Sequence, residues 1–207
     1  MLNGLIITQG YIAPFIVTLG TMSIFRSLTL YISNAGEFRS HSEVYPKIGS
    51  GAIFGIPIPV WTFFGLAALL HIVLNHTRYG KYVYAVGSNE QVAIYSAIKV
   101  NTIKFVSYAL SGFSVGVSSI MLSSRMNSIS SSNAGNFYEL DAIAAVVIGG
   151  TSMSGGTGTI YGTVVGAIIL GIINNMLNML GVSPYLQGTV KGAVIIFAVL
   201  LQYKRKG

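Results

Sequence analysis

The chain has 207 residues, of which 52% are hydrophobic and only 8% charged, and its mean hydropathy is strongly positive. That balance lies outside the soluble globular class and points to a membrane protein. The net charge of +7 is dispersed along the chain instead of gathered into a phosphate-tracking patch, so nucleic acid is not an expected partner.

With no cysteine in the sequence, disulfides, thiolate metal sites and thiol catalysis are excluded. His71 and His76 are five apart, off the i,i+4 spacing, and His41 lies in a different loop. Interfacial roles are expected for them, not metal binding. The opening Met1-Leu2-Asn3-Gly4 lacks the positive region of a cleaved leader.

The first apolar run of spanning length, about 20 residues, covers 13–32. Arg26 is its costliest group and lies six residues from the end of the run, within reach of the interface, so snorkelling is expected over a pathway role. The connection 33–55 carries Glu37, Arg39, Glu43 and Lys47 and balances to zero, which assigns it outside. A second run covers 56–75. The polar stretch 76–104 that follows carries Arg78, Lys81, Lys99 and Lys104 against Glu90 alone, which assigns it to the cytoplasmic side. Within it Ser88 and Gln91 form a capping-box pattern, and Ala93, Ile94, Ala97 and Ile98 group on one face. A short amphipathic helix is expected there. Its length makes it a poor membrane anchor and favours a protein partner over lipid headgroups.

The run 103–124 leads outward, and the tail with Lys204, Arg205 and Lys206 is assigned inside. An even number of crossings must separate them, yet 103–124, 159–181 and 186–203 are only three. The fourth falls to 139–158, in which a half-helix of about ten residues spans about 15 Å and the glycine-rich VIGGTSMSGGTGT at 147–159 continues as irregular backbone. That stretch has no P-loop lysine, and Tyr161 stands where a dinucleotide fingerprint needs its third glycine. Non-helical backbone at membrane depth is buried by protein or lines a watery path. Gly149, Gly150, Thr151, Ser152 and Ser154 are therefore candidate pathway residues, with an ordinary cytoplasmic connection as the alternative.

Glu139 and Asp141 open the half-helix, where acids complement the dipole; contact with an external partner is their sharper reading. Asn174 and Asn178 share a face at i,i+4 spacing beside Asn175, and either line a polar pathway or bond helix to helix. Gly112/Gly116, Gly162/Gly166 and Gly188/Gly192 each clear a helix face for close packing. The fold expected from all this is an all-α polytopic transmembrane bundle with a short cytoplasmic helix and a broken, glycine-rich crossing.

The stretch YAVGSNEQVAIYSAIKVNTIKFVSYALSG, and the combination of ELDAIAAVVIGGTS, a nearby SGG and NNMLNMLGVSPY, strongly resemble the permease subunits of bacterial ATP-driven sugar importers, most of all the ribose type. The resemblance covers almost the whole chain as a single permease domain, 1–207, corresponding to the C-terminal portion of the family, whose members usually have further N-terminal spans. It implies a multi-pass protein of the cytoplasmic membrane, in contact with lipid, that imports a monosaccharide by alternating access. Implied partners are cytoplasmic ATPase subunits, a second permease subunit and a substrate-binding protein touching Glu139 and Asp141. ATP and Mg would be used by the ATPase, with no cofactor on this chain and no catalytic residue in it. The loop 76–104 would hold the coupling helix, with Ser88, Asn89, Glu90, Gln91, Ile94 and Ala97 facing the ATPase; Ala97 stands where the family often has glycine. A passive channel or facilitator, and a non-transporting, partner-binding fragment of a permease, are the alternative functions.

Overall fold

The computed structural model describes residues 1–40, 42, 44–183, 186–190, 192–194 and 196. The basic tail at Lys204, Lys191 and part of the run 186–203 lie outside them. In chain order the elements are α1 (Leu2–Gly10), α2 (Pro14–Ser33), β1 (Glu37–Arg39), α3 (Tyr45–Ser50), β2 (Ala52–Ile53), β3 (Ile56–Pro57), α4 (Ile58–His76), α5 (Arg78–Ser88), α6 (Glu90–Tyr95), α7 (Val100–Met126), β4 (Ser128–Ser130), α8 (Tyr138–Ile148) and α9 (Ile160–Met179). Helices dominate, as the composition requires. Four of them, α2, α4, α7 and α9, are long and apolar enough to cross a membrane, and each falls on a run anticipated from hydropathy.

Local signals set the helix ends. Pro14 opens α2 after the extended Ala13, where a missing N–H costs nothing. Thr77 caps α5 by accepting from Gly80 N at 3.3 Å, and Thr159 caps α9 by accepting from Gly162 N at 3.1 Å. The spans bury little of themselves: no residue in the most apolar windows of α4 and α7 is fully buried. Surface of that kind is stable only against hydrocarbon or further apolar protein.

The chain divides into two compact units, residues 1–66 with 99–134, and residues 67–98 with 135–207. In the first, α1 lies on α7, with Gly4 against Phe105 and Tyr108. Near the other end of α7, α3 packs so closely that a side chain at Gly49 would collide with Ser124 and Arg125, and the hydroxyls of Tyr45 and Ser123 hydrogen-bond. β1 pairs antiparallel with β4, Glu37 opposite Ser130, and Ser128 Oγ donates to Glu37 Oε2 at 2.8 Å. Arg26 donates to the Ser132 carbonyl at 3.0 Å, so the costly cation of α2 reaches the polar loop beyond β4, as snorkelling requires. The second unit holds α5, α6, α8 and α9.

Candidate functional site

In the second unit α8 and α9 form an antiparallel pair at very short range. Cβ atoms added at Gly149 and Gly162 would overlap each other's backbone, and one at Gly166 would overlap the Ala145 carbonyl. Such approach brings Cα–H groups onto facing carbonyls and lets Ala144, Ala145 and Leu170 bury against each other, with Ile148, Ala167 and Ile173 around them. Of the three Gly-x-x-x-Gly spacings, Gly162/Gly166 is the one that makes a contact of this kind. A Cβ added at Gly112 would meet only Met1 N, at 3.9 Å, while one at Gly116, Gly188 or Gly192 would meet nothing among the described residues.

Helix α8 is 11 residues long, about 16 Å. It stops in a Schellman motif: Thr151 N donates to Val146 O at 3.1 Å and Gly150 N to Val147 O at 2.9 Å, with Gly150 at φ 83°. The chain then runs as irregular backbone to Thr159. This glycine-rich loop closes on itself. Ser152 N donates to Thr157 O and Gly155 N to Ser152 O, both at 3.0 Å; Ser154 N donates to Ser152 Oγ at 3.3 Å. Ser152 is buried, whereas Met153 and Ser154 are exposed.

Its far side docks on the end of α5. Cβ atoms added at Gly155 and Gly156 would lie 2.5 Å from Gly87 O and Ser88 Oγ, and one at Gly87 would lie 2.7 Å from Gly156 N. Tyr84 Oη donates to Gly158 O at 2.7 Å. A cavity of about 310 Å³ remains between these parts, bordered by Leu74, Val83, Tyr84, Val146, Ser152 and Ile160.

Immediately after this contact comes α6. Its cap differs from the expected Ser88–Gln91 box: Ser88 is the last residue of α5, and Asn89 caps α6, its Oδ1 accepting from Val92 N at 3.1 Å. Asn89 is extended and can turn its side chain onto the next helix start, whereas Ser88 is still helical. The expected apolar face changes for the same reason. Helix α6 ends at Tyr95, so Ala97 and Ile98 form its stop and do not continue a stripe with Ala93 and Ile94. Ala93 is 2% exposed, while Val92, Ile94 and Tyr95 are 57%, 49% and 85% exposed. A one-and-a-half-turn helix thus presents three large apolar side chains outward, with Glu90 and Gln91 also exposed.

Glu139 and Asp141 occupy the first turn of α8, where the dipole favours them. Asn178 Oδ1 accepts from Gln187 Nε2 at 2.9 Å. Asn174 Oδ1 is buried with no hydrogen-bond partner among the described residues. The His71 ring lies 4.4 Å from that of Tyr161 and 6.0 Å from that of His76, and no metal-binding group of three or more ligands occurs among the described residues. Sequence reasoning missed Tyr84, Gly87 and Gly158 as site residues. The SGG at 154–156 was a visible signal, but nothing in a linear pattern tells which backbone a glycine pair must approach.

Among the described residues, four helices long and apolar enough to cross a membrane, with the shorter α8 packed on the last of them, are those of a multi-pass helical membrane protein. Over residues 1–199 the chain matches the family described as the permease component of branched-chain amino acid transport systems, and it belongs to that family. It is 46% identical over 205 residues to the ribose import permease protein of Bacillus subtilis, covering 98% of this chain and 63% of that protein. To the ribose import permease protein of Escherichia coli K12 it is 42% identical over 208 residues, 99% of this chain and 64% of that protein. The galactose/methyl galactoside import permease protein of Escherichia coli K12 is 39% identical over 221 residues, covering 100% of this chain and 64% of that protein. The chain thus spans less than two thirds of the length of each of these relatives. No solved structure matches it.

Proposed function

We propose that the chain is the membrane-spanning permease part of an ATP-driven importer of a monosaccharide of the ribose type, with α6 as the element that docks on a cytoplasmic ATPase subunit. One observation carries the docking assignment: Val92, Ile94 and Tyr95 stand exposed on a capped short helix, within a stretch whose excess of basic residues assigns it to the cytoplasm. Three large apolar groups in water cost free energy that a partner's groove recovers. The identity to ribose and galactose import permeases supports the sugar class. On this reading ATP and Mg act in the ATPase, a binding protein delivers sugar near Glu139 and Asp141, and a second permease subunit covers exposed span surface. Alternating access then follows from ATPase closure moving α6.

The test is co-purification from membranes. Glu90→Ala with Ile94→Ala should sharply lower recovery of the ATPase while the chain still inserts; unchanged recovery removes the docking assignment. Labelling of a Lys204→Cys tail from the outside would overturn the topology on which the assignment stands.

A further inference from the structure

The end of α5, which leads directly into α6, and the glycine-rich loop, which leads out of α8 and into α9, touch backbone to backbone. Gly87 meets Gly155 and Gly156, Ser88 meets Gly156, and Tyr84 Oη donates to Gly158 O at 2.7 Å. A side chain at any of the three glycines would separate the two segments. The loop is braced internally at Ser152, Gly155 and Thr157 and, through Gly149, stands against Gly162 at the start of α9. An unbroken series of short contacts therefore runs from α6 to the α8–α9 pair. Packed backbone has few ways to give, so such a series moves together or comes apart.

We infer that Tyr84, Gly87, Gly155 and Gly156 are positioning residues that make the loop a rigid extension of α6, so that displacement of α6 is delivered to the α8–α9 pair. The assignment of α6 as the ATPase-docking element is presupposed; the mechanical link is a property of the chain itself. Residues 155–156 serve this contact on this view, and Thr151 and Ser152 border the cavity beside them.

The link is tested without a partner, by hydrogen exchange on the purified full chain in lipid nanodiscs. Tyr84→Phe removes one hydrogen bond and Gly156→Ala forces the contact open. Each should raise exchange of the loop amides of Ser152 and Gly155 together with the α6 amides of Ala93 and Ser96, on the order of fivefold for Tyr84→Phe and more for Gly156→Ala, because a cooperative unit opens as one. Gly20→Ala in α2, where an added Cβ meets nothing, should leave both segments unchanged. Faster exchange confined to the loop, with α6 unmoved, overturns the link. Should Gly156→Ala not accumulate, Tyr84→Phe alone decides. ATPase recovery with the Glu90→Ala/Ile94→Ala variant scores the docking assignment separately, so either can fail while the other stands.

Discussion

Helices α6 and α8 stop in the same way with different residues. In α8 the turn pairs Thr151 N with Val146 O and Gly150 N with Val147 O; in α6 it pairs Ile98 N with Ala93 O at 3.1 Å and Ala97 N with Ile94 O at 3.0 Å. Both motifs need a left-handed residue at the turn. Gly150 takes φ 83° freely, whereas Ala97 is held at φ 58° against its own Cβ, which costs about 1 kcal/mol. The α8 stop abuts a tightly packed helix pair, while the α6 stop lies on an exposed element. This chain keeps its unstrained turn where packing is dense and carries a strained one at the end of a short, exposed helix.

The largest expected effect breaks the dense side. Gly166→Ala sets a Cβ into the Ala145 carbonyl, where backbone must yield, and should destabilise the chain by about 3 kcal/mol. The same change at Gly116, where an added Cβ meets nothing among the described residues, should instead stabilise by up to about 1 kcal/mol through helix propensity. Melting of detergent-solubilised protein checks both, at about 2–4 °C per kcal/mol for a chain of this size. Equal shifts of one sign would show that the α8–α9 approach is absent.

Next in size, Gly150→Ala should lower stability by about 1–2 kcal/mol, since it imposes on α8 the strain that α6 already carries. Ala97→Gly should act the opposite way, stabilising α6 by no more than about 1 kcal/mol once the extra freedom of glycine in the unfolded chain is subtracted. Its clearest readout is slower exchange at Ala93 and Ser96, and unchanged exchange there would mean that Ala97 bears no strain. The smallest effect is kinetic and separates the two readings of the loop. Ser152→Cys should react with a hydrophilic thiol reagent more slowly than Ser154→Cys, because Ser152 is buried and Ser154 exposed, and thiol reaction requires access and the thiolate. Equal rates would place both on an open connection.

Much of this was readable in one dimension. Spanning helices declare themselves by length and apolar content, since a bilayer admits few other solutions, and four of the five anticipated runs match α2, α4, α7 and α9, the fifth, 186–203, lying partly outside the described residues. Caps at Thr77 and Thr159, the acids opening α8 and the broken stretch after it are local chemistry, and local chemistry is written in neighbouring residues. The family follows from residue identity. What tertiary structure alone decided is which surfaces meet. Gly162/Gly166 and Gly188/Gly192 are the same motif in sequence, yet among the described residues the first pair lies against α8 and the second meets no neighbour. Ser88 and Asn89 are both good caps, and only the length of α5 gives the role to Asn89. Gly87 and Gly156 lie far apart in the chain and touch only because α5 and the loop are brought to one place. A glycine records that room is needed, but the neighbour that needs it is set by folding.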